Sequence, residues 1–133
     1  MKINAAVDEF RQVGVNSRLT GASPHTLITM LFEGLLEKLA TARGLAERGD
    51  ISSRGHAISK AIAIVDSLRA SLDFERGGEV SENLKSLYDY MELRLLQANT
   101  EASSELVDEI STLVQEIKAG WDSIPAQQAA GLK

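Results

Sequence analysis

Apolar residues recur at helical spacing along most of the chain, and most clearly between Ala22 and Asp50. Ser23 can cap the free backbone N–H groups of a helix there, and Pro24 suits its first position. Gly49 can take the left-handed conformation that commonly ends a helix. A long first helix is therefore predicted, with its central apolar stripe at Ile28, Leu31, Leu35, Leu39, Ala42 and Ala46.

The apolar surface of this first helix is wider than a single core-facing side requires. At ~100° per residue, Leu27, Met30 and Gly34 lie to one side of the central stripe. Phe32 and Leu36 lie to the other side. The apolar arc is then roughly 240°, whereas a helix that buries one side needs ~100° or somewhat more. We expect two buried faces, either both covered by the chain itself or one covered by a partner.

A second long helix is predicted from about His56 to Phe74, after a polar turn over 51–55. Gly77 and Gly78 then break the helix, because paired glycines adopt backbone angles that side chains forbid. The apolar stripe of this helix is formed by Ile58, Ile62, Val65, Leu68 and Leu72.

The third helix is predicted from Glu79 to Gln97, followed by a turn over 99–101. Tyr90 and Leu93 point away from its core stripe, with Leu96 further round the helix, so this helix also has apolar side chains that it need not bury. The core stripe itself is predicted at Val80, Leu84, Leu87, Tyr88, Met91, Leu95 and Ala98.

A fourth helix is predicted from a cap at Ser103 or Ser104 to about Trp121, and Pro125 cannot continue it. Residues 123–133 are expected to form a disordered tail. Long helices joined by turns of a few residues favour antiparallel neighbours. The expected fold is therefore an all-α, antiparallel four-helix bundle.

The bundle domain is predicted to span 22–122, with an additional short helix within the N-terminal segment 1–21. Phe10 and Val13 lie on the apolar side of that short helix. Two interpretations of the segment stay open. It either packs permanently on the bundle, or lies reversibly, as a mobile cap, in a groove that a partner later occupies.

Composition and charge narrow the class of protein. At 133 residues the chain is expected to form one domain, by the usual ~100–200 residues per domain. The formal net charge of −5 argues against sequence-independent nucleic-acid binding, which needs clustered Lys and Arg. No apolar run approaches the ~18–20 residues of a membrane span, and the N-terminus lacks the apolar core of a signal peptide. A cytoplasmic protein without membrane insertion is expected.

The sequence contains little that could carry catalysis or hold a cofactor. It has no cysteine, and neither His25 nor His56 has the preceding glutamate of a di-iron bundle. Phosphate-binding loops and nucleophile elbows are also absent from the sequence. We therefore expect neither a metal nor a cofactor, and a small hydrolase or metal protein is a disfavoured alternative.

An ordered series of short motifs resembles the flagellin export chaperone FliS family across nearly the whole chain. Its elements here include Ala22-Ser23-Pro24, Leu27-Ile28, Met30-Leu31-Phe32-Glu33-Gly34, Gly49-Asp50, Ile58-Ser59-Lys60-Ala61, Gly77-Gly78-Glu79, Asn83-Leu84, Leu87-Tyr88-Asp89-Tyr90-Met91, Arg94-Leu95, Ala98-Asn99 and Trp121. The resemblance implies a cytoplasmic helical-bundle chaperone without catalytic residues. Such a chaperone binds the disordered C-terminal segment of flagellin, prevents premature polymerisation and assists delivery to the flagellar type III export apparatus. Phe10 and Phe32 stand where the family commonly has tyrosine.

The excess apolar surface fits this role, because an amphipathic client needs long apolar grooves. The residues expected to bind flagellin are Leu27, Met30, Leu31, Gly34, Ile58, Ile62, Val65, Tyr90 and Leu93. Phe10 and Val13 would belong to the cap, which in the family can lie over part of this surface. Other flagellar regulators are possible further partners.

The main alternative is a self-associating helical-bundle module that does not have flagellin as its client. Leu27, Met30 and Gly34 would then form a seam between two copies. Under either interpretation the free protein is a monomer or a weak homodimer.

Overall fold

Residues 23–124, which the computed structural model describes, form four α-helices joined by connections of two or three residues. Each helix packs against two others, since α1 and α3 both contact α2 and α4. The all-α four-helix bundle is thereby confirmed. The expected N-terminal helix, with Phe10 and Val13, and the tail from Pro125 lie outside the described residues. The helices are α1 (Pro24–Arg48), α2 (Ile51–Ala70), α3 (Phe74–Glu101) and α4 (Ser104–Asp122).

The predicted start and end of α1 and the predicted start of α4 are confirmed by their capping geometry. The Ser23 hydroxyl accepts a hydrogen bond from the Thr26 N–H at 3.1 Å, and Ser103 caps α4 in the same way. Gly49 ends α1 with a φ of 72°, in the left-handed region. Each serine cap typically contributes about 1 kcal/mol.

The predicted start of α2 at His56 is wrong. The helix begins at Ile51, because the Asp50 carboxylate accepts a hydrogen bond from the Ser53 N–H at 3.2 Å and caps it. The predicted polar turn over 51–55 is thus the first turn of α2. This turn also makes tertiary contacts, since the buried Arg54 donates to the side-chain and backbone oxygens of Asn99 at 3.2 and 3.0 Å.

The predicted end of the second helix at the glycine pair is wrong, because α2 ends at Ala70 and the pair forms a kink inside α3. Gly78 has φ 48° and ψ −122°, while the residues from Phe74 onward already belong to α3. Asp73 caps this early turn by accepting from the Glu75 and Arg76 N–H groups. The buried Ser81 hydroxyl donates to the Asp73 carbonyl at 3.0 Å and ties the turn to the helix beyond the kink.

The end of α3 also lies beyond its predicted position. The helix continues to Glu101, so the turn predicted over 99–101 is helical. The chain reverses at Ala102, which has a left-handed φ of 52°. Because Arg54 binds Asn99, the last turn of α3 is held by the first turn of α2. This tertiary contact favours the longer helix.

Contacts between helix ends establish the antiparallel arrangement. At one end His25, in the first turn of α1, stacks on Trp121 near the end of α4, with ring centroids 4.7 Å apart. The Trp121 indole N–H donates to Thr29 Oγ1 at 3.1 Å and lies 3.3 Å from the His25 carbonyl. Towards the other end Arg43 pairs with Asp108 at 2.6 Å. The core between these ends includes Phe32, Leu35, Leu39, Ile58, Val65, Leu68, Met91, Leu95 and Ile110.

Candidate functional site

The outward side of α3 carries a row of exposed apolar side chains. Tyr90, Leu93 and Leu96 are 40%, 67% and 56% exposed, respectively. They follow one another at intervals of three residues and therefore lie along one side of the helix, over about 9 Å of its length. We call these three residues the outer stripe.

The outer stripe faces away from the core because of the helical repeat. Met91, Leu95 and Ala98 are fully or almost fully buried on the inner side of α3. At ~100° per residue, Leu93 is on the opposite side of the helix from these three. The bundle therefore completes its core without using the outer stripe.

On the α4 side, an arginine and a glutamate border the outer stripe. Arg94 binds Glu109 of α4 at 3.0 Å, and its guanidinium lies 5.8 Å from the centre of the Tyr90 ring. The Tyr90 hydroxyl is 3.4 Å from both carboxylate oxygens of Glu109. The hydrogen bond to Glu109 raises the pKa of Arg94. Tyr90 is thus held at the α4 edge of the outer stripe, and its ring is partly exposed to solvent.

On the α2 side, three carboxylates converge on one arginine. Arg69 pairs with Asp66 at 2.6 Å, with Glu92 at 3.0 Å and with Asp89. Lys85 also binds Asp89 at 3.0 Å. Hydrogen bonds from Lys85 and Arg69 lower the pKa of Asp89.

Glu92 is the poorly satisfied member of this carboxylate group. Its Oε2 atom is buried and, although close to Arg69, accepts no hydrogen bond of acceptable geometry. Burial and the adjacent Asp66 carboxylate raise the pKa of Glu92 to about 7. Part of the Glu92 population is therefore protonated at neutral pH.

The structure separates the nine residues predicted to bind flagellin into exposed and buried groups. Tyr90 and Leu93 are exposed, and Leu27, Gly34 and Ile62 are half-buried. Met30 and Leu31 are buried, at 4% and 7% exposure. Ile58 and Val65 lie inside the bundle core, where they could contact a partner only if the helices separated.

The predicted residues of α1 and those of α3 do not lie on neighbouring helices. Those of α1 and those of α3 lie on helices at diagonal corners of the bundle, because both helices have α2 and α4 as their neighbours. The chain itself covers most of the wide apolar arc of α1, since Phe32 on one flank and Met30 on the other are both buried. The outer stripe is consequently the main exposed apolar surface among the predicted residues.

Two features of the site are not included in the sequence-based prediction. Leu96 extends the outer stripe; its position off the core stripe follows from the helical repeat, but it is not among the predicted binding residues. The bordering ion pairs join residues on different helices, so helical spacing alone does not reveal them.

A second apolar feature lies where α1 begins and α4 ends. An open pocket of about 270 Å³ is lined by residues of α1, α3 and α4 and by the connection between α2 and α3, including Ile28, Phe32, Leu72, Leu84, Ile117 and Trp121. Val80 at its edge is 48% exposed. The pocket widens the apolar surface available near the kink of α3.

The arrangement is suited to binding a polypeptide. Within residues 23–124, no three His, Asp or Glu side chains are grouped so that they could hold a metal ion. None of the four described helices is long and apolar enough to cross a membrane. What the described surface offers is an apolar row between charged edges, which fits an amphipathic segment.

Comparisons with known proteins agree on one family. The family model of the flagellar protein FliS matches residues 6–128. The flagellar secretion chaperone FliSB of Pseudomonas aeruginosa is 48% identical over 119 residues, covering 90% of this chain and 94% of the relative. FliS of Salmonella typhimurium is 45% identical over 121 residues, covering 90% of each chain. FliS of Vibrio cholerae is 34% identical over 125 residues, covering 94% and 92%.

Proposed function

The chain belongs to the FliS family of flagellar secretion chaperones, and on that premise we propose that its client is the C-terminal segment of flagellin. In this role it binds the unfolded segment in the cytoplasm, prevents premature polymerisation and assists delivery to the flagellar type III export apparatus. We assign the protein no catalytic activity and no cofactor, since the family is one of chaperones rather than enzymes.

The observation that carries this proposal is the outer stripe. A monomeric protein gains nothing in its own stability from a row of three large apolar side chains opposite its core. Such a row suits an amphipathic helix, which buries its apolar side in a groove or against a helix face. Leu93 lies at the centre of the row and is our first candidate contact, flanked by Tyr90.

The half-buried residues of α1 and α2 extend the proposed surface. Leu27, Gly34 and Ile62 retain some exposure and could contact other parts of a long client. A client that wraps several helices is expected, because ordering a disordered segment costs about 2–5 kcal/mol or more. A single small contact would not offset that cost.

Calorimetric titration with the C-terminal ~50–60 residues of the flagellin from the same cell tests the proposal, with circular dichroism recorded in parallel. We expect a one-to-one complex, a negative heat-capacity change and a gain in helix content. Absence of binding at high micromolar concentration by the full chain and by a chain lacking 1–20 would contradict the assignment. Binding by the shortened chain alone would identify the N-terminal segment as an inhibitory cap.

A pair of variants locates the contact. Leu93→Ser should weaken flagellin binding about tenfold or more, because a central apolar contact is removed. Ile51→Ser is the matched control, since Ile51 is 71% exposed but lies at the start of α2. Equal affinities of the two variants for flagellin would place the client elsewhere. A sedimentation series with both variants would show whether Leu93 instead supports self-association.

A further inference from the structure

Charge is distributed very unevenly between the two halves of the bundle. Helices α1 and α2 together contain six basic and four acidic residues, a formal net charge of +2. Helices α3 and α4 contain four basic and eleven acidic residues, a formal net charge of −7. The outer stripe therefore lies on a strongly acidic half, and a partner approaching it meets a negative potential.

The basic side chains that border the outer stripe are already occupied. Arg69 is held by Asp66, Asp89 and Glu92, and Lys85 shares Asp89 with it. On the other edge, Glu109 holds Arg94. An acidic group of a partner would have to compete with these internal carboxylates. A basic group would instead meet the accessible carboxylates of Asp89 and Glu109, which are 40% and 41% exposed.

We propose that the outer stripe accepts an amphipathic helix whose apolar side is flanked by lysine or arginine. The apolar side would cover Leu93 and Leu96, and the flanking cations would reach the carboxylates on the two edges. This inference deepens the proposed function, because it specifies the chemistry of the client segment that lies on α3. Electrostatic complementarity of this kind contributes mainly specificity and association rate.

Two synthetic helical peptides of ~18 residues, long enough for about five turns, test the inference. They share one leucine face and differ in their flanks, which carry lysine in one peptide and glutamate in the other. We expect the lysine peptide to bind the full chain about tenfold more tightly at ~50 mM NaCl. The advantage should fall to about twofold at ~500 mM NaCl, because salt screens exposed charges. Equal binding at low salt would overturn the inference.

Charge variants distinguish a local effect from the net charge of the protein. Glu109→Gln should reduce the preference for the lysine peptide about threefold, since Glu109 borders the stripe. Glu47→Gln is the control, because Glu47 is a half-exposed carboxylate that is also paired with an arginine, but it lies on α1. An equal loss in both variants would show that only the overall charge matters and would overturn the inference.

Substitutions of exposed apolar residues, and competition between the flagellin segment and the lysine peptide, test whether both bind at the outer stripe. Leu93→Ser should weaken the lysine peptide, whereas Ile51→Ser should not, and the reverse result would overturn the inference. The flagellin segment should displace the peptide. A flagellin segment that binds without displacing it would overturn the placement of the client on α3. If flagellin does not bind but all the peptide preferences hold, the inference stands and the proposed client is wrong.

Discussion

At the scale of single residues, Glu92 shows how the α2–α3 contact depends on pH. Its carboxyl group is buried beside Asp66, and the folded state therefore favours its protonated form. The pKa is raised from 4.5 to about 7, so the folded chain binds this proton more tightly than the unfolded chain. Stability that Glu92 contributes at acidic pH is consequently lost as the pH rises through about 7. The pKa of Asp89 is lowered, so the stability that Asp89 contributes is present at neutral pH and is lost as the pH falls into the acid range.

Replacing Glu92 by glutamine should remove the part of the pH dependence of stability that Glu92 causes. Glu92→Gln keeps the shape of the protonated side chain, so it should stabilise the protein by about 1 kcal/mol near pH 8. Near pH 4 the same change should have little effect, because the Glu92 carboxyl group is then mostly protonated in both the folded and the unfolded chain. Thermal unfolding at the two pH values measures both, with an expected gain of about 4 °C at the higher pH. A gain that is the same at both pH values would contradict the assigned cause.

At the scale of elements, α3 is one packed unit in spite of its kink. Gly78 has a backbone conformation that L side chains rarely adopt, with φ 48°. The bond from the Ser81 hydroxyl to the Asp73 carbonyl holds the turn before the kink. The glycine pair therefore redirects the chain at the edge of the apolar pocket instead of ending the helix.

A glycine-to-alanine pair tests the role of the kink. Gly78→Ala should destabilise the fold by about 1–3 kcal/mol, because a side chain at this φ is strained. Gly120→Ala is the control, since Gly120 is in α4 with no positive φ, and an added Cβ meets nothing within 4 Å. There we expect stabilisation of about 0.5–1 kcal/mol. Equilibrium denaturation in urea measures both variants, and a neutral Gly78→Ala would refute the strain argument.

At the scale of the whole molecule, the core and the candidate site are on opposite sides of α3. The core is closed by all four helices, with Leu95 fully buried among them. Leu93, two residues earlier, remains 67% exposed. The proposed binding residues can therefore change without loss of the fold, which suits an export chaperone.

Two leucine-to-alanine variants test this separation. Leu95→Ala should destabilise the free protein by about 2–5 kcal/mol, because it leaves a cavity in the core. Leu93→Ala should change stability by less than about 0.5 kcal/mol, since its side chain is exposed. Leu93→Ala should weaken flagellin binding more than Leu95→Ala does, when binding is measured well below the unfolding temperature of both variants. A large loss of stability in Leu93→Ala would mean that the outer stripe belongs to the fold.

The sequence by itself determined that four helices form, the caps of α1 and α4, and most residues of the core, although Val80 of the predicted core is 48% exposed. These features are local, because the 3.6-residue repeat and the capping residues act within a few positions along the chain. It also separated Tyr90 and Leu93 from the core stripe of α3.

Tertiary structure alone decided which apolar side chains remain uncovered. Ile58 and Met30 have the spacing of binding residues, but neighbouring elements bury them. The early start of α2 and the late end of α3 depend on the contact between Arg54 and Asn99. The carboxylate group around Arg69 likewise exists only because α2 and α3 lie side by side. Periodicity specifies which face of a helix is apolar, whereas packing specifies what covers it.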